Sequence, residues 1–346
     1  MNDLARKIQS KAYELGYEKC GIVPLEAIEE YKLRLEERMR KVPASAGFYE
    51  RQKRLTEPEK AFPWAKSVVV VSQRYGKYEI PENFSGRIGK FYLFDTRTDE
   101  NTEEFQSGSA FENYMKELGL EVVTERKFGL IGLRWAAMTA GLGTIRRNNF
   151  FYTDTGSWSV LYAWLIDAEM EIKDMSNLPK CPPSCNRCVE ACPTNSLSEE
   201  YTMNPATCIS FLTTAGPHDL LKDPNRKKFQ NCLYGCDICQ DVCPMNAGKW
   251  ELRLEFPGLS AFAEPLLPEA VMEMDETYFR ETIQPKLYYL SPNDLWKLQI
   301  NALCYMENNY EEKYRASISA ACGSENEKVR GLAQDIRVQV CPAESL

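Results

Sequence analysis

The chain is poor in histidine. His218 is the only one among 346 residues, which excludes a histidine-rich metal site and a histidine triad with a spare base. It has no uninterrupted apolar run of the roughly 18 residues a membrane-spanning helix needs. Its first stretch, MNDLARKIQSKAYELGYEKCG, is broken by charges and reads as an amphipathic helix, not a secretory leader. No G-x-G-x-x-G follows a strand and no G-K-[ST] occurs, so neither a Rossmann dinucleotide site nor a P-loop is indicated. Positive charge is also in deficit. A net charge of −8 argues against a protein whose main task is gripping nucleic acid, although Lys127, Arg134, Arg146 and Arg147 offer a local basic patch.

Cysteine is abundant, and it is patterned. Thirteen are present, and nine fall between residues 181 and 243, eight of them in a ligand-like arrangement. Cys185, Cys188 and Cys192 follow the C-x2-C-x3-C-P ending of a bacterial ferredoxin run, and Cys236, Cys239 and Cys243 repeat it. In two-cluster ferredoxins the cysteine before proline ligates the other cluster. The expected sets are therefore crossed: Cys181, Cys185, Cys188 and Cys243 for one [4Fe-4S] cluster, and Cys192, Cys208, Cys236 and Cys239 for the other. Zinc or disulfides are the alternatives, but a disulfide framework belongs to short secreted chains. Cys181 departs from the usual run by one extra residue, which a bulge through Pro182-Pro183 would absorb. Cys232 is spare, and Cys304, Cys322 and Cys341 have no ligand spacing. A cytoplasmic, low-oxygen setting suits such thiols, and no membrane partner is expected.

The hydrophobic pattern gives an α+β chain. Helical periodicity covers residues 3–15, and strands are expected at Lys19–Pro24, Ser67–Gln73 and Leu120–Thr124. Asn149–Tyr152 and Trp158–Ile166 alternate like strands around a turn at Thr153–Gly156. Leu130, Leu133, Ala137 and Met138 suggest a helix closed by Gly141. Residues 76–101 read as a long loop of the kind that forms lids or binding segments. The expected domains are a mixed α/β unit at 1–172, a ferredoxin-like double-cluster unit at 173–250 and a helical, HEAT-like region at 251–346. Two clusters alone need far less chain, so the first unit should hold a substrate or a second redox centre. An electron carrier whose first unit only docks a partner, and a corrinoid-binding chaperone, are the other readings.

Several further motifs run through most of the chain. They are Ala65-Lys66-Ser67-Val68-Val69, Gly86-Arg87-Ile88 with Lys90-Phe91, Ala140-Gly141-Leu142-Gly143 with Ile145 and Asn148, Gly156-Ser157-Trp158, Cys208-Ile209-Ser210-Phe211-Leu212-Thr213, and Tyr234-Gly235-Cys236-Asp237 through Asn246. Together they resemble the epoxyqueuosine reductase family, which is itself similar to the core of reductive dehalogenases. The resemblance implies a base-off cobalamin, held without a histidine ligand between the α/β unit and the clusters and reduced to Co(I) through them. Its implied neighbours are Gly141, Leu142, Gly143, Asn148, Gly156, Ser157, Trp158, Ile209 and Ser210. It also implies a low-potential donor of ferredoxin or flavodoxin type, and as substrate a small molecule or a queuosine-modified tRNA. The chain departs from the family where the family places its acidic proton donor: Lys127 stands there. Thr96-Arg97-Thr98 replaces a further family motif. Lys127 is thus either a general acid, with Tyr92, Tyr152 or Tyr162 as a partner, or an ordinary surface cation.

Overall fold

The computed structural model describes residues 2–251 and 254–340. Its centre is a four-stranded antiparallel sheet in the order β1-β2-β6-β3, built from β1 (Lys19–Pro24), β2 (Ser67–Arg74), β6 (Ser159–Ile166) and the short β3 (Val122–Val123). The run Ser67–Gln73 is buried at every position because both faces of the sheet are covered. On one face Val69, Val71 and Trp164 pack under α1 (Asn2–Glu14) and α5 (Glu103–Glu117), through Ile8, Ala12, Phe111 and Met115. On the other, Val68, Val70 and Leu165 meet Ala136, Ala137 and Ala140 in and after α6 (Leu133–Thr139). Each such fully buried aliphatic side chain contributes roughly 1.5–3 kcal/mol.

Several local expectations are corrected. The strand at 120–124 shrinks to Val122–Val123, because only these two residues pair with Leu165 and Ile166. Phe151–Tyr152 (β5) pairs with Thr144–Ile145 (β4) and not with β6, so the hairpin lies upstream of the Thr153–Gly156 turn. Leu130 precedes α6 instead of lying on its face. Residues 76–101 are no loose lid. Tyr78, Phe84, Ile88 and Phe94 are buried in one core with Phe256, Phe279, Ile283 and Leu287 from the C-terminal region. That segment includes the short helix α4 (Lys90–Leu93).

Between sheet and C-terminal helices lies the cysteine segment. Its short helices are α7 (Arg187–Glu190), α8 (Ile209–Thr213) and α9 (Ile238–Asp241). Helix α8 is fastened at its end: Asn301 donates to the Thr213 carbonyl at 2.7 Å, and Thr213 Oγ1 accepts from the Gly235 amide at 2.9 Å. Behind it, the helices Leu295–Asn308, Arg315–Ala321 and Glu327–Val340 share an apolar core with Ile209 and Leu212. Cys304 is buried there; Cys341 lies outside the described residues.

Candidate redox site

The folding of the cysteine segment brings the eight cysteines to two cavities. Cys181, Cys185, Cys188 and Cys243 line one of about 230 Å³. Cys192, Cys208, Cys236 and Cys239 line part of another of about 410 Å³. The sets are crossed because α7 packs on α9, which carries the cysteine before each proline towards the other run. The Pro182-Pro183 insertion folds as a turn, with the Cys185 amide donating to the Pro182 carbonyl at 3.0 Å. Cys181 Sγ then accepts from the Arg147 amide at 3.4 Å, while the Arg147 guanidinium holds the Pro183 carbonyl at 3.1 Å. Cys192 Sγ accepts from the Ser196 amide at 3.2 Å. All cysteines among the described residues are free thiols, and no three His, Cys, Asp or Glu side chains there close on a single point as a lone ion requires.

Burial pushes the Cys188 and Cys208 thiols up to about 11. Such thiols ionise readily only with a positive centre in contact, which cluster iron supplies. Cys236 is raised further, first by a hydrogen bond with the buried Cys232 and then by burial.

Asn148 stands on the wall of both cavities and donates to Tyr152 Oη at 2.9 Å and to the Cys239 carbonyl at 3.1 Å. Ile209 and Ser210 line the second cavity, where Ser210 Oγ and Tyr92 Oη are 3.2 Å apart. The other expected cofactor neighbours lie behind the walls. A Cβ on Gly141, at φ 80°, would fall 2.2 Å from the Asp174 carbonyl oxygen, and one on Gly143 would fall 2.0 Å from that of Tyr152. These glycines permit backbone contact, and Leu142 is fully buried beneath the sheet. Gly156 and Ser157 clamp the cysteine segment: Asn246 Oδ1 accepts from the Ser157 amide, and Ser157 Oγ donates to Gln240, both at 2.8 Å. Trp158 is buried against Trp250, their ring centroids 5.2 Å apart.

The second cavity continues into a larger one of about 670 Å³, since Phe48, Arg134, Phe211, Ala215 and Tyr289 line both. Its wall is aromatic and basic. Arg38, Arg51, Arg54 and Arg134 line it, with no Asp or Glu among the described lining residues. Sequence reasoning missed most of this wall. Phe211 lay inside a recognised motif, but Phe48, Trp135 and Tyr289 carried no signal. His218 is fully buried elsewhere, near Trp296, and its Nδ1 is 2.7 Å from the Gly216 carbonyl.

Lys127 is half-buried in the loop beside this cavity; its neighbour Phe128 lines the wall and Lys127 does not. Its ammonium lies 4.7 Å from the Tyr288 ring centroid. Two arginines hold the loop's carbonyls. Arg97 donates to Lys127 O at 3.0 Å, and Arg54 to Phe128 O at 3.4 Å and Gly129 O at 3.1 Å. Arg97 is itself forked onto Asp95 at 2.9 and 2.8 Å and reaches Tyr289 Oη at 3.2 Å. Of the tyrosines named from sequence, Tyr92 reaches the cavity. Tyr152 sits behind Asn148, and Tyr162 is buried in the sheet, near Thr96.

Two four-cysteine cavities, the second of them continuing into a large ligand cavity, describe an iron–sulfur oxidoreductase. Residues 181–246 match the 4Fe-4S double cluster binding domain. The epoxyqueuosine reductase of Staphylococcus aureus is 32% identical over 288 residues, covering 80% of this chain and 74% of that protein. The Bacillus subtilis enzyme is 30% identical over 292 residues, 80% and 72% of the respective chains. The chain belongs to the epoxyqueuosine reductase family. An epoxyqueuosine reductase crystallised with an epoxyqueuosine-modified tRNA-Tyr stem loop superposes with a TM-score of 0.78 at 23% identity, covering 98% of this chain and 90% of that one. The Bacillus subtilis reductase with its catalytic loop swung out of the active site gives 0.76 at 24%, covering 98% and 91%. Among the described residues no helix is long and apolar enough to cross a membrane.

Proposed function

We propose that this oxidoreductase is a cobalamin-dependent reductase that removes the oxygen of an epoxide, in a nucleoside of the queuosine-precursor type carried by tRNA. The observation that carries the reading is the shared wall. Phe48, Arg134, Phe211, Ala215 and Tyr289 join the second four-cysteine cavity to the large aromatic one, so a redox centre and a bulky flat ligand would be close neighbours. The residues fit a base-off corrinoid. The cavity is large and ring-walled, and the sole histidine is buried elsewhere, so no imidazole is offered to cobalt. When bound, the corrinoid supplies a metal that, once reduced, is both nucleophile and reductant.

The chain's own residues do the rest. Cys181, Cys185, Cys188 and Cys243 hold one cluster, and Cys192, Cys208, Cys236 and Cys239 the other. Asn148, Ile209 and Ser210 border the cofactor; Gly141, Leu142, Gly143, Gly156, Ser157 and Trp158 shape the support behind it. Electrons arrive from a ferredoxin- or flavodoxin-type donor. Removing an epoxide oxygen as water takes two electrons and two protons. Lys127, in the loop that borders the cavity, is the residue proposed to give a proton to the leaving oxygen.

Anaerobic reconstitution with iron, sulfide and cobalamin, followed by desalting, tests the cofactors: about eight iron and one cobalt per chain are expected. Full iron with no retained cobalt overturns the reading. Lys127→Ala should keep its cobalt and lose about a hundredfold or more in single-turnover rate on an epoxyqueuosine stem loop. Unchanged turnover removes the acid role from Lys127.

A further inference from the structure

The large cavity holds a pair of arginines with no carboxylate partner among the described residues. Arg38, on α2 (Glu30–Lys41), is 7% exposed and lines the cavity, and Arg134 faces it from α6. Both donate to one neutral residue. Arg38 Nη2 reaches Asn149 Oδ1 at 2.8 Å, and Arg134 Nη1 bonds the Asn149 carbonyl oxygen. Asn149 accepts from both because it sits at φ 65°, a left-handed conformation that asparagine tolerates better than most residues. Burial and the neighbouring Arg38 charge hold the Arg134 guanidinium below its ordinary value. Arginine remains charged in proteins, so the pair brings two positive charges together over a neutral amide. Beside them the Trp135 indole N–H, buried without an acceptor, belongs to a side chain that lines the same wall. Like charges enclosed together are costly unless something anionic joins them.

We infer that Arg38, Arg134 and Trp135 form a subsite for a phosphate diester. Guanidinium forks match phosphate oxygens in pairs, and the indole supplies a further donor. The inference deepens the proposed function, since such a group arrives on either of two ligands: the nucleotide loop of a complete corrinoid, or the RNA backbone. In both cases the subsite sets which member of a ligand class is retained, without touching the reacting bond.

The test uses the cluster-loaded full chain and its Arg38→Gln variant, whose visible cluster absorption should be unchanged. Gln keeps a donor for Asn149 and removes the charge. Three ligands are titrated: cobalamin against cobinamide, which lacks the nucleotide loop; an RNA stem loop across a salt series; and a dinucleoside monophosphate by equilibrium dialysis. If the corrinoid supplies the phosphate, the native chain prefers cobalamin to cobinamide by about tenfold or more, and Arg38→Gln abolishes the preference. If RNA supplies it, the corrinoid preference is absent and Arg38→Gln lowers the slope of log affinity against log salt by about 0.7–0.9. Should the native chain bind neither corrinoid nor stem loop, the proposed function fails, and the dinucleoside decides the subsite alone: binding that Arg38→Gln removes supports it. With all three titrations equal in native and variant protein, or no dinucleoside binding where the larger ligands also fail, the subsite is overturned. A purely structural role for Arg38 would alter the cluster spectrum and leave the corrinoid preference and salt slope in place.

Discussion

At the scale of single residues, the site separates thiols that face a cavity from thiols that do not. Cys208 is alone in sequence yet lines the second cavity with Cys192, Cys236 and Cys239. Cys208→Ser is expected to lower bound iron from about eight to about four atoms per chain, since one of the two clusters loses a ligand. Cys232 is buried behind Cys236 and absent from the cavity wall, so Cys232→Ser should retain the full iron content. Iron assay after anaerobic reconstitution reads both. His218 shows burial acting on a charge. Burial pushes it down to about 4, with the Gly216 carbonyl only partly opposing. A histidine depressed when folded binds fewer protons than the unfolded chain. Its contribution is therefore complete above about pH 6.5 and is lost as pH falls towards 4, amounting to roughly 3 kcal/mol across that window. His218→Gln should flatten this part of the decline, seen as a smaller difference in denaturant midpoint between pH 7 and pH 5 than the native chain shows.

At the scale of elements, the glycine-rich stretch after α6 is a packing device. Gly141 touches the backbone at Asp174, and Gly143 lets β4 close on β5. Gly143→Ala would drive a methyl into the Tyr152 carbonyl and should cost roughly 1–3 kcal/mol or more, measured as a lower denaturation midpoint. The hairpin carries Asn148 and Asn149 at its tip, so looser packing there should also weaken the second cluster's surroundings. The 125–129 loop shows the same logic in polar form. Arg54 and Arg97 hold three successive carbonyls, and Asp95 fixes Arg97 by a bidentate contact, a geometry that resists displacement better than a single hydrogen bond. Arg97 and Lys127 thus touch each other through this loop.

At the scale of the molecule, the cysteine segment is a wedge between the sheet and the C-terminal helices. It has only short helices of its own, and its carbonyls and side chains are tied outward, to Ser157, Arg147 and Asn301. Metal binding and folding should be coupled here. Removing iron with a chelator under anaerobic conditions is expected to lower the melting temperature and to expose residues 181–246 to protease before the sheet. A chain whose melting point and cleavage pattern were indifferent to iron would contradict this.

Much of this was legible in the chain because it is local. The spacing of eight cysteines and two prolines announced two clusters, since thiolate geometry around iron is short-ranged and tolerates few loop lengths. The run Ser67–Gln73 announced a strand covered on both sides, because no polar residue interrupts its centre. Gly141 announced the end of α6, where it adopts φ 80°, but not the Asp174 backbone it meets. Tertiary structure alone decided the rest. Phe48, Arg38, Arg134, Trp135 and Tyr289 come from four separate stretches and meet only when α2, the helix Ala46–Glu50, α6 and the C-terminal region pack together, so no periodicity could mark them. The long segment at 76–101 looked like a lid because its aromatics have no helical or strand spacing; they are buried against the C-terminal region more than 150 residues away in sequence, as in Tyr78 against Phe256. Sequence determines chemistry that lies within a few bonds of itself. A cavity is the surface left between elements, and only their packing decides it.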